Sequence, residues 1–196
     1  SVTDIDGNVY RTVVIGTQTW MAENLKVTKY SNGDNITHIT ITNNSDWPRD
    51  TDGAYGYYND NTTNIDTYGM LYNWYAVDNS NGLCPEGWHV PTSDEYNALN
   101  THLGTNAGGK LKETGFDHWD DPNTGATNEY GFTALPAGLR TYNIGAFSSV
   151  GVYNYLWVSD SNGSNATFWY LNNNSTLFRT SSAIKTYGFS VRCLKD

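Results

Sequence analysis

The first regular pattern along the chain is an alternating, β-branched run from Asn8 to Ile15 (NVYRTVVI) that stops at Gly16 and is followed by TQTWMAENL. Two strands joined by a short turn are expected there. From Tyr30 to Tyr68 neither the helical nor the strand period holds. This stretch is dense in Asn, Asp, Thr and Gly, and predicts a long irregular region with short strands around Ile36 to Thr42. Over Tyr68 to Asp78 (YGMLYNWYAVD), Leu71, Trp74 and Tyr75 fall at helical spacing ahead of Asn79-Ser80-Asn81-Gly82, which predicts a short helix and its stop. A second helix is predicted after Pro91. Thr92 as N-cap with Glu95 three residues on makes a capping box, Tyr96, Leu99 and Leu103 form one face, and Gly104 closes it.

After a helical turn expected at Lys110 to Glu113, the second half predicts short strands at Phe132 to Leu135, Leu139 to Tyr142, Tyr155 to Ser159, Thr167 to Asn172 and Phe189 to Leu194. Helices followed by a strand-rich half, without βαβ alternation, point to an α+β fold with antiparallel sheet. No repeat of fixed period, charge run or linker-like stretch divides the chain, so residues 1–196 are expected to form one domain.

Composition shifts this picture in two ways. The hydrophobic fraction is a low 38%, but 7 Trp, 15 Tyr and 6 Phe can supply a core, because each buried ring removes about 150–250 Å² from water. Charged residues make up 16%, against a usual figure of about 25%, so Asn, Thr, Ser and Gly must supply the polar surface. A net charge of −9 with scattered Lys and Arg argues against nucleic acid and anionic membranes as partners. No apolar run approaches the roughly 20 residues of a membrane span, and the Ser1-Val2-Thr3-Asp4 start is no signal peptide, so a mature or trimmed piece is expected. Asn-x-Ser/Thr triplets at Asn35, Asn61, Asn165 and Asn173 are expected by chance in so Asn-rich a chain. Cys84 and Cys193 lack the Cys-x-x-Cys spacing of zinc ribbons and thioredoxins, which leaves a structural disulfide or two buried thiols.

Several blocks are similar, in order, to those of a known family. The stretch YGMLYNWYAVDNSNGLCPEGWHVPTSDEYNAL from Tyr68 to Leu99 resembles the Fibrobacter succinogenes major paralogous domain family of bacterial surface and secreted proteins. DGNVYRTVVIGTQTWMAENL, GFTALPAGLR and the ending GFSVRCLKD resemble its remaining blocks. The resemblance implies a C-type-lectin-like fold: two short helices packed on twisted antiparallel sheets with long irregular loops. It also implies a disulfide between Cys84 and Cys193, and with it an oxidising, extracytoplasmic compartment. The Glu-Pro-Asn and Trp-Asn-Asp tripeptides of calcium-dependent sugar-binding lectins are missing. Trp157-Val158-Ser159-Asp160 stands near the second, but Asp160 alone cannot supply six to eight oxygens.

Catalysis is not expected. His38, His89, His102 and His118 are scattered without metal-ligand spacing, His89 reads as a packed structural residue, and no Gly-x-Ser-x-Gly elbow occurs. A distant formylglycine-generating branch of the superfamily needs a close pair of cysteines, and here both are wanted for the fold. Ligand binding is better supported, because sugars are held by aromatic faces and by neighbouring Asn, Asp and Arg. One candidate loop carries Trp119, Asp120 and Asp121; a second runs through Tyr142, Tyr153, Asn154 and Tyr155 to Trp157. Any single Trp is at least as readily a core residue. The turn-rich tip holding Asp160, Asn162 and Asn165 reads first as a hairpin turn, and Arg140 or Arg179 could hold a carboxylate or hydroxyl pair, although Arg140 equally suits a buried acid. Asp50-Thr51-Asp52-Gly53 and the oxygens from Asn59 to Asp66 leave a structural calcium open. The expected role is a non-catalytic module of a larger surface protein that recognises a glycan, with a protein- or peptide-binding adhesin and a structural spacer as the alternatives.

Overall fold

The computed structural model describes residues 1–196 as a mixed α+β protein, mostly small sheets with a few short helices. At the N-terminus β1 (Val2–Thr3) pairs with β2 (Val9–Tyr10), and β3 (Thr12–Ile15) turns at Gly16 into β4 (Gln18–Met21) as expected, although the run expected as one strand over Asn8 to Ile15 is divided between β2 and β3. The irregular region contributes β5 (Thr37–His38) and β6 (Ala54–Gly56). Helix α1 (Thr63–Tyr68), β7 (Leu71–Tyr72), α2 (Trp74–Val77), β8 (Trp88–His89), α3 (Ser93–Leu103) and α4 (Ala107–Leu111) follow. The second half holds β9 (Leu139–Arg140), β10 (Phe147–Ser148), β11 (Tyr153–Asn162), β12 (Asn165–Asn172), β13 (Arg179–Ile184) and β14 (Leu194–Lys195).

Several features depart from the expected layout. There are four α-helices rather than two, and β5 pairs with β6 in parallel where only antiparallel pairing was expected. The single helix expected over Tyr68 to Asp78 is broken: Tyr72 pairs with Tyr55, and its backbone also bonds to Phe189, so only Trp74–Val77 is helical. Asn73 starts that helix. Fully buried, it accepts from the Ala54 and Ala76 amides and donates to Asp50 at 2.8 Å, which ties the irregular region to α2. No strand forms over Phe132 to Leu135, where a single bridge joins Lys112 and Ala134.

The β11–β12–β13 sheet separates two cores. Period-2 alternation sends Leu156 and Val158 of β11, with Trp169 and Leu171 of β12, to one face, where they meet Trp20, Tyr96, Leu99 and Leu103. Helix α3 is fixed there by its capping box, and its first free amide, Ser93, donates to Asp160. The other face carries Trp157 and Phe168 into a core with Tyr72, Trp74 and Phe189. Cys84 and Cys193 form a disulfide with a Cα separation of 5.9 Å, beside the register in which Leu194 faces both His89 and Trp20.

Long loops pack around these cores because buried cations gather their carbonyls. The Lys112 ammonium, its pKa pulled down to about 8 by burial, donates to the carbonyls of Thr124, Asn172 and Ser175. The Arg140 guanidinium binds the Ile39, Thr40 and Gly145 carbonyls and Asn44, and lies 4.2 Å from the Trp47 ring centroid and 4.9 Å from that of Phe147. Arg140 therefore staples loops and forms no ion pair with an acid. No helix is long and apolar enough to cross a membrane.

Candidate functional site

On the outer part of the Trp157 face, the strand alternation that fills the core continues toward solvent as tyrosine. Tyr153 and Tyr155 stand two apart on β11, and Tyr155 faces Tyr170 across the register. The returning segment before the last strand adds Tyr187 and Phe189, and the loop after β9 adds Tyr142. These rings form a continuous row. Tyr153 stacks on Tyr155 at 5.2 Å, Tyr155 on Phe189 at 4.9 Å, Phe189 on Tyr187 at 5.4 Å, and Tyr187 meets Tyr142 at 5.0 Å with the planes tilted by 47°.

The row borders a groove of about 350 Å³ whose floor includes Leu139, Phe168 and Phe189, with Asn165 and Ser182 as its polar edge. No Asp, Glu, Lys or Arg lines it. Internal rings of the row cover one another's faces, so a ligand meets their edges and hydroxyls, and finds an open face chiefly at Tyr142, which is 37% exposed. The hydroxyls of the row have no protein partner, a state that the core residue Tyr96 shares. Tyr10, Tyr30 and Tyr72 bond to Asp4, the Asp52 carbonyl and the Val27 carbonyl, whereas those of Tyr142, Tyr153, Tyr155, Tyr170 and Tyr187 have no protein partner. Burial pushes the Tyr155 pKa well up, and the neighbouring Tyr153, Tyr170 and Tyr187 add to it.

Of the residues singled out in the sequence, Tyr142, Tyr155 and Asn165 line this groove, and Tyr153 stacks on Tyr155 beside it. Trp119 does not. It is 1% exposed with its indole N–H on the Ala134 carbonyl, so neither face is open to a ligand. Asp120 and Asp121 are exposed on that separate loop, where the Asp121 carbonyl accepts from Asn173. Asn154 is fully buried and donates to the Leu135 carbonyl, because alternation points it to the opposite face from Tyr153 and Tyr155. Asp160 bonds the start of α3, Asn162 pairs with Asn165 at the hairpin tip, and Arg179 lies exposed opposite Tyr170. Tyr170, Tyr187 and the floor residues were missed. The Phe168-x-Tyr170 and Tyr187-x-Phe189 spacings carried the same period-2 signal as Tyr153-x-Tyr155.

The acids considered for calcium are not pooled. Asp50 accepts from the Gly53 amide and Asn73, Asp60 from the Ile41 amide, and Asp66 pairs with Lys26 at 2.9 Å. No three His, Cys, Asp or Glu side chains converge as a metal site. A family model described as the Fibrobacter succinogenes major domain matches residues 13–195. No curated protein and no solved structure matches the chain.

Proposed function

The chain belongs to the Fibrobacter succinogenes major domain family, and from that premise we propose that it is a non-catalytic, C-type-lectin-like module that binds carbohydrate in the tyrosine groove. The observation that carries the reading is an apolar groove lined by Tyr142, Tyr155 and Tyr187, whose hydroxyls have no protein partner, with Tyr153 and Tyr170 packed against Tyr155 beside it. Phenol groups left free to donate and accept suit the hydroxyls of a sugar, and the open face at Tyr142 suits stacking on its C–H surface. The uncharged lining favours a neutral glycan over an acidic one, since an acidic group would be desolvated there without a partner. The disulfide fits a module working in an oxidising, extracytoplasmic setting, as part of a larger secreted or surface protein.

The experiment is a glycan array with the isolated domain, in calcium and in chelator, beside Tyr142→Ala and Tyr187→Ala variants. Neutral glycans are expected to bind in both conditions, and each variant to weaken binding about three- to tenfold, the worth of one aromatic contact. Binding that survives both substitutions, or that requires calcium, would refute the site. One observation favours a second reading, a protein or peptide ligand: β13 forms the end of its sheet, and its outer edge, beside the groove, has no strand partner. An extended peptide could add there. Peptide-display binding without glycan binding would select it.

A further inference from the structure

A second concavity, of about 410 Å³, shares no lining residue with the tyrosine groove. Its walls hold two ion pairs, Arg11 with Glu23 at 2.8 Å and Lys26 with Asp66 at 2.9 Å, and a hydrogen bond of 2.8 Å between His118 Nδ1 and Glu113. Every acid lining the cleft thus has a partner. The remaining charge is the guanidinium of Arg192, which is 1% exposed and forms no ion pair.

The Arg192 guanidinium lies 4.3 Å from the Phe132 ring centroid but uses a smaller share of its N–H donors than the other buried cations. Of its five N–H donors, three are used, on Asn24 Oδ1 at 2.8 Å, the Phe132 carbonyl and the Thr133 carbonyl at 2.9 Å. Lys112 by contrast spends all three of its donors on carbonyls, and Arg140 reaches four acceptors between two aromatic rings. It is Arg192, with spare donors, that lines the cleft.

The local backbone is strained to hold it. Thr133 has φ of 53°, a left-handed conformation that costs a β-branched residue about 1–3 kcal/mol. Its amide is fixed by Asn128 and its carbonyl accepts from Arg192, so the strained turn aims two successive carbonyls at the guanidinium. Above this, Lys26 is held only by Asp66, whose side chain is 89% exposed, and that pair can open to a ligand at little cost.

We propose that this cleft binds a small hydrophilic carboxylate. The carboxylate takes the spare donors of Arg192 and the ammonium of Lys26, while Glu113 and Glu23 accept from the ligand's hydroxyl or ammonium groups. A guanidinium matches a carboxylate in two-point geometry, and its burial strengthens the pairing. This site is independent of the glycan reading, and its charged lining contrasts with the uncharged tyrosine groove.

Amide NMR spectra of the labelled domain, titrated with D-glucuronate, glycine, D-glucose and glycinamide, test it and separate a sugar acid from an amino acid. One of the two acids should shift the amides of Asn24, Gly69 and Thr133, weaken with added salt, and lose affinity up to about fivefold in Lys26→Met. The neutral counterparts should leave these amides unmoved. Shifts that are the same with glucose or glycinamide, no shift with either acid, or binding indifferent to both salt and Lys26→Met would overturn the proposal. Inorganic phosphate binding in place of both acids would also overturn it. Because these comparisons use the intact protein, they stand even if Arg192→Met fails to fold.

Discussion

The Cys84–Cys193 bridge permits the sharpest test of how this chain is held together. It joins residues 109 apart, so opening it releases more than half of the chain in the unfolded state. In the chain-entropy relation, a loop of about 110 residues corresponds to about 5 kcal/mol at 25 °C, a large share of the roughly 5–15 kcal/mol that stabilises a typical protein. The Cys84→Ala/Cys193→Ala variant should show this loss with little offset, since both sulfurs are buried and their removal leaves voids rather than new contacts. Urea unfolding followed by tryptophan fluorescence reads it directly. For an m-value of about 2–3 kcal/mol/M the midpoint should fall by about 2 M, and wild-type protein in reductant should match the variant. A loss below about 1 kcal/mol would refute the reasoning, because it would mean that the denatured chain is already as restricted without the bridge.

Two further outcomes follow from the same geometry. Burial opposes protonation of His89, but hydrogen bonds to Asp196 and Glu95 outweigh it and raise its pKa above the ordinary 6.5. The resulting stability is present in full below about pH 6.5 and is lost as pH rises through the folded-state value, so urea midpoints should be higher at about pH 5.5 than at about pH 8.5 by more in wild type than in His89→Gln. Equal pH dependence in the two proteins would remove His89 as the cause. Gly138 adopts φ of 68°, and a Cβ there would stand 2.3 Å from the Ser148 carbonyl oxygen and 2.6 Å from the Val150 amide. Gly138→Ala should therefore cost on the order of 3 kcal/mol, or about 6–12 °C in thermal midpoint, and an unchanged midpoint would contradict the packing.

What could be read from the sequence was what neighbouring residues settle among themselves. Helix α3 is the clearest instance. Thr92, Glu95 and the Tyr96–Leu99–Leu103 stripe satisfy their own amides and define their own buried face, and the helix forms from Ser93 to Leu103 as expected. The β3–β4 hairpin and the long strand containing Tyr155 and Trp157 were legible for the same reason. Tyr68 to Asp78 was not. Its helical spacing is real, but the backbone of Tyr72 finds partners in Tyr55 and Phe189, the latter 117 positions further along the sequence, and long-range pairing overrides local propensity.

The candidate sites divide along the same line. Sequence singled out Tyr153, Asn154 and Tyr155 together, and the structure, by starting β11 at Tyr153, put the two tyrosines on one face and Asn154 on the other. The sequence also supplied the cysteine pair and the excess of aromatic and Asn residues from which a groove could be built. Only the tertiary structure decided that Tyr142 and Tyr187 complete the row while Trp119 is sealed in the core, and that Arg192 faces a cleft with donors to spare. Whether a ring or a guanidinium is covered depends on chain segments tens of residues away, and no local pattern records which of them will arrive.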